Sequence, residues 1–233
     1  MHKQFRSQQP GRLRIKLIVD ILMTACLPGL MTYSFLGEKL HEWLGMALFF
    51  LFTLHHILNC SWLKGLGKGK YTPYRVFQTV IAALMFLCMF GSMLSGIRIS
   101  QYLFLGWSHA AFDEKAVTIH ISCAYWGFIL MSMHIALHWR MIKGIMKNRM
   151  HIELPKPAGR VLSLLAACIA VYGAWIFYHN RIISYLFFKA HFVMYDFNAT
   201  LYSVLLDYLA MMGFFIYITY YICGMLQKSS RRL

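Results

Sequence analysis

Six runs of apolar residues, at 15–36, 43–59, 76–97, 116–138, 161–178 and 203–226, take up most of this 233-residue chain. About 20 apolar residues in helical form cross the hydrocarbon of a bilayer, and the runs approach or exceed that length. The chain is 59% hydrophobic and only 13% charged, which is too little polar surface for a water-soluble domain of this size. The runs leave no stretch long enough for a soluble domain. The first has a long apolar part and no small-x-small cleavage site after it, so it reads as a span and not as a removed signal peptide. The expected fold is all-α: a polytopic membrane protein of six transmembrane helices.

The net charge of +15 sorts by loop. The N-terminal tail, the second loop, the fourth loop and the C-terminal tail carry eighteen of the 23 Lys and Arg residues. Only Lys39, Arg98, Lys115, Arg181 and Lys189 fall on the other side. Basic loops stay in the cytoplasm, so both termini are expected there, as an even number of spans requires. Topology and anionic membrane lipid account for the basic excess, and no nucleic-acid partner is needed. The six cysteines form neither CxxC nor CxxCH. They imply no disulfide framework, thiolate metal site or covalent c-type haem.

Histidines give two of the runs a chemistry. The second holds His41 and His55, the fourth His120 and His134, each pair fourteen residues apart. Fourteen helical steps of about 100° return to within roughly 40° of the start and rise about 21 Å. Both rings of a pair therefore share a face, one towards each leaflet. Spans two and four run parallel, from outside to inside, which sets His41 level with His120 on the outer side and His55 level with His134 on the inner side. Two axial imidazoles across a planar macrocycle make a b-type haem. Two such levels make two haem b groups and a transmembrane path for electrons. Gly127, seven residues from both His120 and His134, and Gly45, four beyond His41, lie on the same faces, where a missing side chain admits a bulky ring or a close helix. Small residues also serve plain helix packing.

Other histidine chemistry competes. Imidazoles inside a membrane also serve proton relays or metal paths, so a histidine-lined metal-ion or proton transporter is the alternative, and hydrogen-bonded structural histidines are a third reading. His56 rivals His55 on spacing alone; aligning span two with span four favours His55, opposite His134, and sets Asn59 against His138. His138 is a further candidate for ligation or for a propionate. His109 and His191 have no partner visible in sequence, and His2, His151 and His179 read as tail or loop residues. Arg98 is a candidate for the outer haem's propionate or an interfacial snorkelling residue. Asp20 either pairs with Lys16 or takes protons beside a quinone, which would make quinol a partner. The connection 179–202 reads as an amphipathic stretch lying along the outer interface. No nucleotide-binding glycine motif is present.

"LIVDILM" at 17–23, "HEWLG" at 41–45, "LHHILN" at 54–59, "GKYTPYR" at 69–75, "YWGFILMSMHIALHW" at 125–139 and "DYLAMMGFF" at 207–215 resemble the bacterial flavinylation-associated cytochrome family over nearly the whole chain. The resemblance implies a multi-pass b-type cytochrome of the plasma membrane that passes electrons to an extracytosolic flavoprotein, with haem histidines at His41, His55, His120 and His134. This chain lacks the family's occasional fused flavin domain and has no Asp-x-Ser/Thr-Gly-Ala-Ser/Thr flavin-attachment motif, so no bound flavin is expected on it. It is expected to be an electron-transfer subunit and not a self-contained enzyme. Residues 1–140 would form the haem bundle from helices one to four, 141–160 a cytoplasmic loop, and 161–233 two further spans.

Overall fold

The computed structural model describes residues 10–104, 106, 113–149, 155–189, 191–193, 196 and 198–229. They fold into helices α1 (Pro10–Met31), α2 (Tyr33–Leu58), α3 (Cys60–Gly65), α4 (Pro73–Ile99), α5 (Glu114–Leu137), α6 (Trp139–Arg149), α7 (Lys156–His179), α8 (Ile182–Leu186) and α9 (Leu201–Ser229). There is no strand among the described residues.

Local chemistry sets the ends. The Thr72 hydroxyl accepts from the Arg75 N–H at 3.3 Å and Pro73 opens α4, the usual pairing of cap and first helical residue. Asp113 caps α5 by accepting from the Ala116 N–H at 3.0 Å, and Glu114 adds negative charge to the first turn. Near its start α2 is interrupted at Gly37, whose φ of 71° and ψ of 165° break the helix. Only glycine adopts that backbone without strain. The helix that carries His41 therefore begins just after Gly37.

Four helices, Pro73–Ile99, Glu114–Leu137, Pro157–His179 and Leu201–Ser229, are long and apolar enough to cross a membrane. The helices α1 and α2 have the length, but one carries Arg12, Arg14, Lys16 and Asp20 and the other His41, Glu42, His55 and His56. The outward surface is oily throughout. Ile21, Phe50, Leu87, Leu164, Val171 and Leu206 stand 63% to 72% exposed. So many large exposed apolar side chains would be untenable in water, and they mark a membrane protein.

The packing order is cyclic. α1 lies against α2, α2 against α4, α4 against α5, and α5 against α1, while α2 and α5 sit diagonally with no extended contact between them. α9 covers the far side of α5, and α7 covers α9. The densest core lies there, around Phe128, Met211 and Ile182, which are 0% to 1% exposed. Gly173 brings α7 onto α9, and a β-carbon there would run into the Ala210 carbonyl.

Two connections differ from expectation. Residues 141–160 are not simply a loop, because α6 continues through Arg149. Among the described residues of 179–202, a helical turn, α8, dips into the core: Ile182, Tyr185 and Leu186 are buried, Tyr185 stacks on Tyr125 at 4.6 Å, and the Leu186 carbonyl accepts from Ser122 Oγ and Trp126 Nε1, each at 3.0 Å. Donors on α5 satisfy a carbonyl at the end of α8, so the turn can be buried. His179 is the last residue of α7, stacked on Trp175 at 4.7 Å, and not a loop residue.

Candidate functional site

The histidines of α2 and α5 approach one another across the diagonal of the four-helix ring. At one end the His41 and His120 rings stand 6.0 Å apart, centre to centre, with their planes at 69°. Tyr33 packs edge-on against His41 at 5.0 Å. On the other side of the pair, α4 holds His120: its Nδ1 donates to the Ser92 carbonyl at 2.9 Å, and Ser95 Oγ lies at 3.4 Å. The His120 ring sits where a β-carbon on Gly96 would crowd it, 3.3 Å from Cε1. With Nδ1 committed to a carbonyl, Nε2 of His120 keeps its lone pair for another partner. The Leu30 carbonyl lies close to His41, yet its Nδ1 is buried and has no hydrogen-bond partner.

At the other end the rings meet within each helix. His55 and His56 are 5.4 Å apart, and His134 and His138 are 4.7 Å apart. His138, His55 and His56 all lie within electrostatic range of His134. His55 Nδ1 donates to Asp20 Oδ1 on α1 at 2.7 Å. His56 Nδ1 donates to the Phe52 carbonyl at 2.9 Å, and its ring packs on Phe52 and Phe86. His134 Nδ1 is buried without a partner. Each level thus holds one imidazole nitrogen that is cut off from water and left without a partner, an arrangement that normally has a specific reason. Among the described residues, no three His, Cys, Asp or Glu side chains gather closely enough to hold a metal ion by themselves.

The two glycines differ. A β-carbon on Gly45 would meet open space, whereas one on Gly127 would touch Cys88 of α4 at 3.8 Å. At Gly91 of α4, Cys123 Sγ of α5 lies 2.6 Å from where a β-carbon would stand. Arg98 is engaged with Asp113: Nε and Nη2 reach Oδ2 at 3.0 and 2.8 Å. The Ala116 N–H, and after it the Arg98 guanidinium, hold the Asp113 carboxyl below its ordinary value.

Several partners were hidden in the sequence. Asp20 bonds His55 instead of simply pairing with Lys16. His191 bonds Thr118 Oγ1 at 3.0 Å and lies 3.3 Å from Glu114. Glu42, beside His41, accepts from Ser100 Oγ at 2.7 Å and from the N–H groups of Gln101, Tyr102 and Leu103 at 2.6, 3.2 and 2.9 Å. That carboxylate ties the start of α2 to the chain leaving α4. An acid directly after a candidate ligand in "HEWLG" was the only hint of it. His2, His109 and His151 lie outside the described residues.

Comparison with known proteins finds no family model that matches this chain, and no matching curated protein or solved structure.

Proposed function

We propose that the protein is a di-haem b-type cytochrome of the bacterial plasma membrane that carries electrons across it to an extracytosolic flavoprotein. On this reading α1 and α2 also cross the bilayer, giving six spans with both termini in the cytoplasm. Their polar residues face the ring interior and the helix ends. Bound haem would supply one-electron transfer; the protein supplies binding, orientation and electrostatics.

One observation carries the reading. His41 and His120 face each other 6.0 Å apart on two helices that otherwise make no extended contact. A ligating imidazole nitrogen sits about 2 Å from its metal, with the ring centre roughly 1 Å beyond, so two imidazoles on one iron hold their centres about 6 Å apart. The unpartnered Nδ1 atoms of His41 and His134 and the open space at Gly45 add support. His120 and His41 would hold the outer haem, and His134 with His55 the inner one. Arg98, already paired with Asp113, borders the outer level. A quinol is a candidate donor at the inner level, beside Asp20.

Reduced-minus-oxidised visible spectra of the purified protein, with haem quantitation, test this. Two low-spin haems per chain are expected. His41→Ala or His120→Ala should remove one, and His55→Ala or His134→Ala the other. Retention of both centres in His55→Ala would move the inner ligand to His56. A haem-free protein with stoichiometric zinc would replace the cytochrome with the metal-ion transporter reading.

A further inference from the structure

The four proposed ligands differ in what stands behind them. His120 donates to a neutral backbone carbonyl, and Nδ1 of His41 and of His134 has no partner. Only His55 has a carboxylate, contributed by Asp20 from another helix, thirty-five residues away in sequence. A carboxylate at 2.7 Å accepts only, so the shared proton sits on Nδ1 and Nε2 presents its lone pair. Asn59 Nδ2, at 3.5 Å from the same nitrogen, is too far to compete and is already spent on the His55 carbonyl at 2.9 Å. The carboxylate is held in place because its neighbours Val19 and Met23 are buried against Leu48 and Phe52 of α2. Lys16 and His138 also lie within its electrostatic reach. His56, the rival ligand, has only the Phe52 carbonyl of its own helix.

We propose that Asp20 is a positioning residue that selects His55 to hold the inner haem and lowers the reduction potential of that haem relative to the outer one. The proposal rests on the di-haem reading. A carboxylate behind a ligating imidazole fixes its tautomer and ring orientation and raises its basicity. A more basic ligand and a nearby negative charge both stabilise the oxidised, more positive iron. At the outer level no carboxylate bonds either ring: Glu42 lies within electrostatic reach of His41, but its oxygens accept from Ser100 and the N–H groups of residues 101–103, so the bonded carboxylate acts on one centre.

The test is a spectroscopic redox titration of the whole protein in wild-type, Asp20→Asn, Asp20→Ala and Asp20→Glu forms, with haem quantitation. The midpoint that survives in His134→Ala identifies the outer haem. Asp20→Asn keeps the shape and removes the charge. It should retain both haems, raise the inner midpoint and leave the outer one in place. Asp20→Ala should shift it further and broaden the low-spin signal, while Asp20→Glu should move it back towards wild type. Unchanged midpoints in both Asp20→Asn and Asp20→Ala, or equal shifts of both haems, overturn the assignment. A wild-type protein without haem instead defeats the reading beneath it. If the variants fail to assemble, the wild type answers through its redox infrared difference spectrum, with ¹³C in the aspartate side-chain carboxyl to separate it from haem propionates. A label-sensitive carboxylate band on inner-haem reduction supports the role of Asp20, and its absence refutes it.

Discussion

Glu42 offers the most exposing test of how the His41 end is held. Its carboxylate receives four donors from the chain just beyond α4. In Glu42→Gln one oxygen becomes an NH2 group, which must face at least one of those donors. If the amide oxygen takes the place of Oε2, three bonds survive as neutral ones and the Gln101 bond is lost. A bond to a charged group contributes about 1.5–3 kcal/mol and a neutral one about 0.5–1.5. Three weakened bonds and one lost bond would cost about 6 kcal/mol if fully buried. The bonds to Gln101 and Tyr102 are exposed, where water replaces much of what is lost, so about 2 kcal/mol is expected. For a chain of this size that lowers the unfolding midpoint by about 4–8 °C. Thermal unfolding in detergent, followed by tryptophan fluorescence, reads the shift, and hydrogen exchange should show the amides of residues 101–103 losing protection together. Wild-type midpoint and wild-type protection in both Glu42→Gln and Glu42→Ala would refute this account of the latch.

Three further expectations concern the frame around the histidines. Gly173→Ala should loosen α7 from α9, because the added β-carbon meets the Ala210 carbonyl; a loss of about 1–3 kcal/mol is expected, read as a lower unfolding midpoint in detergent. Tyr125 and Tyr208 share a buried hydroxyl–hydroxyl bond of 3.1 Å, so Tyr125→Phe strands the partner hydroxyl and should cost about 1 kcal/mol or more, while the double change to Phe recovers most of it; a double-mutant cycle on unfolding midpoints checks this. The Asp113 carboxyl is held below its ordinary value by its cap and ion pair. Its contribution is therefore complete above the unfolded value of about 4 and is lost as pH falls through the lower folded value. Unfolding midpoints measured from pH 6 down to pH 2.5 should fall less steeply in Asp113→Asn than in wild type.

The positions of the helices were legible because hydropathy acts over short stretches. The run 76–97 became Pro73–Ile99 and the run 116–138 became Glu114–Leu137. The first run, read as 15–36, ends as a helix at Met31. There the Thr32 hydroxyl closes on the Gly29 carbonyl at 2.6 Å, and the break at Gly37 follows. Apolar composition cannot register either event. Arg98 was legible as an interfacial cation, but its partner Asp113 lies fifteen residues away across a connection. The turn at 182–186 read as a surface element because its burial depends on Ser122 and Trp126, sixty or more residues earlier in the chain.

Sequence alone determined that this chain makes apolar helices and that two of them repeat a fourteen-residue histidine interval, since both follow from the fixed pitch and rise of a helix. Only the tertiary structure decided which rings meet and what stands behind each one. It brought His41 to His120 across a diagonal, set Asp20 against His55 instead of His56, and left Nδ1 of His41 and His134 without a partner. The reason is physical: periodicity fixes which side of a helix a residue occupies, whereas the neighbour it meets depends on how four helices pack and where the chain turns between them.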